Sequence, residues 1–164
     1  MNLINGRGQL GSALSCRELY IDNLDVYHTW NFLDKSEIVQ KKEYEKFISY
    51  IGKVPLNRKV VFISTLAKDK SWYTYYKKLS EDVFLKKVRS GLVVRLPCMI
   101  GKGVFSNFRD HTIVDPCGVV SFLTIQEGCD FILESLDKTG IVEPDCWNIS
   151  ANALCELVEF IKRK

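Results

Sequence analysis

The sequence predicts an α/β domain in which a parallel sheet is flanked by helices. Three observations carry that reading. Short apolar runs alternate from end to end with stretches whose apolar residues repeat at helical spacing, the pattern of strands joined by crossover helices. Val60-Val61-Phe62-Ile63 is continuously apolar, as a strand covered on both faces must be. Gly6, Gly8 and Gly11 follow a strand-like start and precede a helical pattern, the composition of a chain turning sharply from strand into helix.

The elements follow in order. Residues 2–5 read as a short buried strand, 11–20 as the first helix and 24–28 as a weakly alternating second strand. Asp34 or Ser36 caps a helix reaching about Tyr50, with Ile38, Val39, Tyr44, Phe47, Ile48 and Ile51 on one face; Gly52 and Pro55 end it. Residues 59–64 form the central strand. Ser71 caps a helix from Trp72 to about Arg89. Residues 91–96 make the next strand, which Pro97 ends, and a loop containing Gly101 and Gly103 follows. Residues 118–124 suit another strand, and Thr124 with Glu127 suits a capping box for a helix through Leu136. Residues 146–149 are a short last strand. Ser150 caps a terminal helix that closes on Lys162-Arg163-Lys164, the end where cations are favoured.

Residues 1–164, 46% hydrophobic with four prolines and ten glycines, fit a single domain with neither internal repeat nor linker, and no separate substrate domain. No apolar run approaches the roughly 20 residues a bilayer crossing needs, and the start lacks the basic-then-apolar pattern of a secretory signal. A cytoplasmic protein without membrane contact is expected. Cys16, Cys98, Cys117, Cys129, Cys146 and Cys155 contain no tight pair, so they read as reduced structural thiols. With only His28 and His111 as imidazoles, no metal site is expected. The formal charge of +3, from 23 basic and 20 acidic side chains, is too small to imply nucleic acid.

Two motifs carry chemistry. In Gly6-Arg7-Gly8-Gln9-Leu10-Gly11 the glycines let the backbone approach a ligand, and the following helix N-terminus suits a pyrophosphate. Arg7 is either a phosphate contact or an exposed loop arginine. Tyr73 and Lys77 lie one helical turn apart, placing a phenol and an ammonium on one face. An unperturbed tyrosine titrates near 10, so an adjacent cation would help it act near neutrality. Tyr75 and Tyr76 have no lysine four residues on. His28 ends the second strand, where open α/β sheets bind ligands. Arg95, inside an apolar strand pattern, needs a carboxylate or a ligand phosphate. Glu81 is expected to pair with Lys77 or Lys78 on the helix surface.

The glycine turn, Val60 to Thr65, Tyr73…Lys77…Glu81, Val93-Val94-Arg95-Leu96-Pro97 with Gly101-Lys102-Gly103, and Trp147-Asn148-Ile149-Ser150 occur in an order that resembles the extended short-chain dehydrogenase/reductases. That family includes nucleotide-sugar epimerases, dehydratases and dTDP-sugar reductases. The resemblance implies a Rossmann-like parallel sheet with fewer strands than the full family fold. It also implies Tyr73 as acid/base, Lys77 on the nicotinamide ribose, and Thr65 or Ser64 on the substrate oxygen. NAD or NADP is the implied cofactor, and a sugar or nucleotide sugar the implied substrate.

Between the first helix and Val60 there is room for one strand where the family places three more. If residues 24–28 match the fourth family strand, the sheet has lost an edge. If they match the second, there is a gap inside the sheet and a cofactor-facing site near Thr29 to Asp34. Losing an edge is the less costly change and the preferred alignment. Residues 101–117, with Phe105, Phe108, Arg109 and His111, are what remains to cover a ligand. Two functions follow: an NAD(P)-dependent enzyme, or a catalytically inactive domain used in binding or assembly. A homo-oligomer is expected under either.

Overall fold

Alternation of side chains along the central strand sorts the molecule into layers. The computed structural model describes residues 1–4, 8–17, 21–28, 30, 31, 33–100, 118–150, 152–154 and 156. The elements are β1 (Asn2–Ile4), α1 (Gln9–Ser15), β2 (Leu24–Tyr27), α2 (Glu37–Ile51), β3 (Lys59–Thr65), α3 (Trp72–Lys87), β4 (Leu92–Leu96), β5 (Cys98–Ile100), β6 (Val119–Thr124), α4 (Ile125–Glu134), β7 (Gly140–Val142) and β8 (Trp147–Ser150). On β3, Val61 and Ile63 join Leu10 and Leu14 of α1 and Cys129 and Ile132 of α4 in one core. Val60 and Phe62 join Phe47 of α2 and Phe84 of α3 in the other. The second core is aromatic, with Phe47 stacked on Phe62 at 4.3 Å and Tyr27 edge-on to Phe47 at 4.8 Å. Gly91, just before β4, is required by close approach: a Cβ there would lie 2.7 Å from the Phe84 ring and 2.9 Å from the Val88 carbonyl oxygen.

The main sheet has five strands in the order β1-β2-β3-β4-β7, all parallel. Its register sets Val26 beside Val61, Phe62 beside Val93 and Val94 beside Val142. β2 lies between β1 and β3, so among the described residues β1 is an edge and no gap divides the sheet. This is the arrangement of the preferred alignment.

Two expectations need correction. The strands expected at 118–124 and 146–149 do not join the parallel sheet. With β5 they form a three-stranded sheet in which β6 runs parallel to β5 and antiparallel to β8. The sequence reading also missed β5 and β7. Pro97 lacks an N–H and ends the β4 ladder, but the chain stays extended and pairs again in the second sheet from Cys98. β7 has only three residues, too few for a periodicity to show.

Boundaries differ at α1, which runs Gln9–Ser15 rather than 11–20; the chain turns at Cys16–Arg17, where the Arg17 amide donates to the Leu14 carbonyl at 3.2 Å. Ser36, not Asp34, occupies the N-cap of α2, while Asp34 accepts from the Ser36 amide at 2.9 Å. Ser71 caps α3 as expected, accepting from the Thr74 amide. Ser150 accepts from the Ala153 amide at 3.2 Å, matching its expected capping role; residues 157–164 lie outside the described residues. The capping box of α4 is complete: Glu127 N–H donates to Thr124 Oγ1 at 3.1 Å and Thr124 N–H to Glu127 Oε2 at 2.8 Å. Thr124→Ala is therefore expected to lower stability by about 1 kcal/mol, read as a lower urea midpoint with an unchanged slope.

Candidate functional site

Because the main sheet is parallel, its strands end at one edge, where open α/β sheets hold their ligands. Gly8 and the start of α1 follow β1 there, and His28 follows β2. Ser64 and Thr65 close β3, and Tyr73 sits in the first turn of α3. Gly6 and Arg7 lie outside the described residues, as do residues 101–117 with Phe105, Phe108, Arg109 and His111.

Tyr73 and Thr65 are brought together. Burial pushes the Tyr73 phenol up to about 12, a hydrogen bond with Thr65 pulls it down, and Asp69 and Cys98 add to the rise. The phenol is therefore protonated at neutral pH, a proton donor at rest. Thr65 is itself fixed: its Oγ1 accepts from the Ala67 amide at 3.0 Å and its carbonyl from Lys78 Nζ at 2.9 Å.

Ser64 goes elsewhere. The neighbouring position on a strand points to the opposite face, and Ser64 Oγ donates to Glu81 Oε1 in the α3 layer. Glu81 is 2% exposed and gathers three side chains. Besides Ser64, it accepts from Arg95 Nη2 at 2.6 Å and Nε at 3.0 Å, and from Lys78 Nζ at 3.2 Å; Arg95 Nη1 continues to Glu143 at 2.7 Å. The expected pair of Glu81 with Lys78 forms, but not at the helix surface: it belongs to a buried junction tying the ends of β3, β4 and β7 to α3. Arg95 has its carboxylates within the protein.

Lys77 is turned inward. β2 stops at Tyr27, opposite Phe62, and Lys77 Nζ donates to the carbonyl of the next β3 residue, Ile63, at 2.7 Å. The ring centres of Trp30 and Phe62 lie 4.4 and 4.8 Å from the amine. Burial pulls Lys77 down to about 7, against the pull of Glu81 and Glu43. His28, half-buried nearby, is pulled down to about 4 by burial and then by Lys77, so its imidazole is neutral at physiological pH. Trp30 and its partner Gln40 were not singled out in the sequence. An aromatic two residues beyond a strand end is the only signal either offers.

The glycine turn fits a pyrophosphate in the part described. A Cβ built on Gly8 would meet nothing within 4 Å, no side chain caps α1, and its first turn carries no acid to repel an anion. Gly11 and Leu10 face inward, with Leu10 in the core, so their part in the turn is to seat the helix. Gln9 opens α1 at the exposed side.

No family model matches the sequence, and no curated protein matches it. Solved structures do. The chain is similar to a dTDP-4-dehydrorhamnose reductase from Bacillus anthracis in complex with NADP, with a TM-score of 0.73 at 12% identity over 99% of this chain and 82% of that one. It is similar to a hypothetical dTDP-4-dehydrorhamnose reductase from Sulfolobus tokodaii, with a TM-score of 0.71 at 19% identity over 98% and 82%. It is also similar to the capsular polysaccharide assembling protein CapF from Staphylococcus aureus, with a TM-score of 0.66 at 12% identity. There it covers 99% of this chain but only 59% of CapF. The chain thus shares the Rossmann-like fold of these structures, with a parallel sheet flanked by helices. Among the described residues, no helix is long and apolar enough to cross a membrane, and no three His, Cys, Asp or Glu side chains are grouped to hold a metal.

Proposed function

We propose that the protein is an NAD(P)-dependent oxidoreductase of the reductase/epimerase type, acting on a sugar or nucleotide sugar. The observation that carries this reading is the Tyr73–Thr65 pair at the carboxyl edge of β3, on the same edge as the open Gly8 turn. The turn would hold the paired phosphates. A bound nicotinamide supplies or accepts the hydride. Tyr73 gives its proton to the substrate oxygen as that oxygen gains charge, and Thr65 holds the phenol in place. A phenol that rests protonated is the form that serves as the acid in carbonyl reduction. Similarity to an NADP-bound reductase supports the cofactor class.

Calorimetric titration with NAD, NADH, NADP and NADPH tests this. Saturable binding of at least one is expected, and Gly8→Asp, which places a carboxylate at an exposed position beside the phosphates, should abolish it without loss of stability. Four flat titrations would sink the reading.

One observation favours a second reading, an inactive domain serving binding or homo-oligomeric assembly. The Lys77 amine faces the Ile63 carbonyl and two rings rather than the edge. Trp72 and Tyr75 are also exposed beside the Tyr44–Tyr76 contact. This version predicts a concentration-dependent oligomer indifferent to all four nucleotides.

A further inference from the structure

Lys77 is held where a cation is costly. It is 3% exposed and, among the described residues, donates to a neutral carbonyl, so burial outweighs the attraction of the rings over it. Trp30, one of those rings, is itself tied down: its indole N–H donates to Gln40 Oε1 at 2.7 Å. Gln40, fully buried on α2, donates in turn to the carbonyls of Asn31 at 2.6 Å and Asp34 at 2.5 Å. One amine, one indole and one amide therefore stitch the chain leaving β2 onto α2 and α3 at the carboxyl edge of the sheet. Of the two carboxylates that pull on this amine, Glu81 is bound to Arg95, while Glu43 has one oxygen on Lys46 at 2.8 Å and its other buried without a partner.

We infer that this is a stowed position: Lys77 can leave the cage as a solvated cation, and its departure unlatches Trp30, so that acid favours the open form and base the closed one. The inference rests on the cage alone and adds a gate to the proposed oxidoreductase site, so it stands or falls whether or not a nucleotide binds.

The direction follows from linkage. Stowed, the amine titrates near about 7; released, it returns to its ordinary 10.5. Between those values the open form holds a proton that the closed form lacks. The open-to-closed ratio should therefore fall about tenfold for each pH unit gained in that window, and level off below it. Other groups facing Lys77 do not supply this window. His28, from the end of β2, titrates near about 4, and Tyr27, from β2, is pushed up to about 12 by burial and Glu43. Glu43, from α2, is paired with Lys46, and Glu81, on α3 itself, is held below its usual range. Arg95 and Lys78 hold Glu81 ionised. Asp34 is exposed and bound to Ser36.

The test uses a Trp72→Phe, Trp147→Phe background, which leaves Trp30 as the single indole; both replaced residues are exposed. Trp30 emission and hydrogen exchange of amides 33–40, corrected for intrinsic rates, are followed from about pH 6 to 10. The expected result is an opening ratio that falls about tenfold per unit above neutrality, flat in Lys77→Met and retained in His28→Gln. A flat profile in the background protein, or a slope that survives Lys77→Met, overturns the inference. Should Lys77→Met fail to fold, carbon-13 titration of the lysine ε-methylenes in the wild-type chain decides: one lysine titrating near neutrality supports the cage, and ordinary values for all of them overturn it.

Discussion

Glu81→Ala is expected to destabilise the protein by about 3–5 kcal/mol, the usual cost of removing one member of a buried, paired ion set. The substitution breaks three sets of contacts at once: Arg95 loses its bidentate partner and keeps only Glu143, Lys78 keeps only the Thr65 carbonyl, and Ser64 loses its acceptor. In a chain of this size that amounts to a fall of roughly 6–20 °C in Tm. Glu81→Gln keeps the shape and one acceptor, and should cost less. The same junction gives an acid limb. Burial alone would raise the Glu81 carboxyl, but hydrogen bonds from Arg95 and Ser64 outweigh it and hold the group below its usual range. Its contribution is thus present above the unfolded value and lost as pH falls through the lowered native one. Glu81→Ala should flatten that limb in a pH series of urea melts. A change of less than about 1 kcal/mol would mean that the junction relaxes rather than breaks.

Tyr73→Phe is expected to reduce turnover by about 10²–10⁴-fold with nucleotide affinity unchanged, the range for loss of a positioned general acid. Phenylalanine retains the ring and removes the proton, so folding is a poor explanation for any loss. Thr65→Val separates the roles. Without the Thr65 hydroxyl the phenol loses the one group that pulls it down, so the alkaline limb of the rate profile should move to higher pH. A Tyr73→Phe protein that turns over at the wild-type rate would remove Tyr73 from the chemistry.

How far the chain could be read depended on how local each signal was. The apolar run at Val60–Ile63, the Ser71 cap and the Thr124–Glu127 box are all written within a few residues, and each appears where expected. The lost sheet edge was legible from chain length alone, because only one strand fits between α1 and β3. What could not be read were outcomes of distant packing. Alternation separates Ser64 from Thr65, but it does not say which face holds the phenol. The spacing of Tyr73 and Lys77 puts both on one helix, yet burial against Trp30 and Phe62 decides where the amine goes. Glu81 looked like a surface residue because its partner Arg95 lies across the α3–β4 connection. The second sheet was hidden for the same reason, since β6 takes its neighbours from either side in sequence.

The position of β1 has a consequence for any occupant of the glycine turn. Three residues paired along one side tether it as lightly as β7 at the opposite edge, and the turn hangs directly from it. A guest settling on that turn would brace the rim as well as fill it. Its arrival should register as slower amide exchange at Leu3 and Val26, before any reaction is measured.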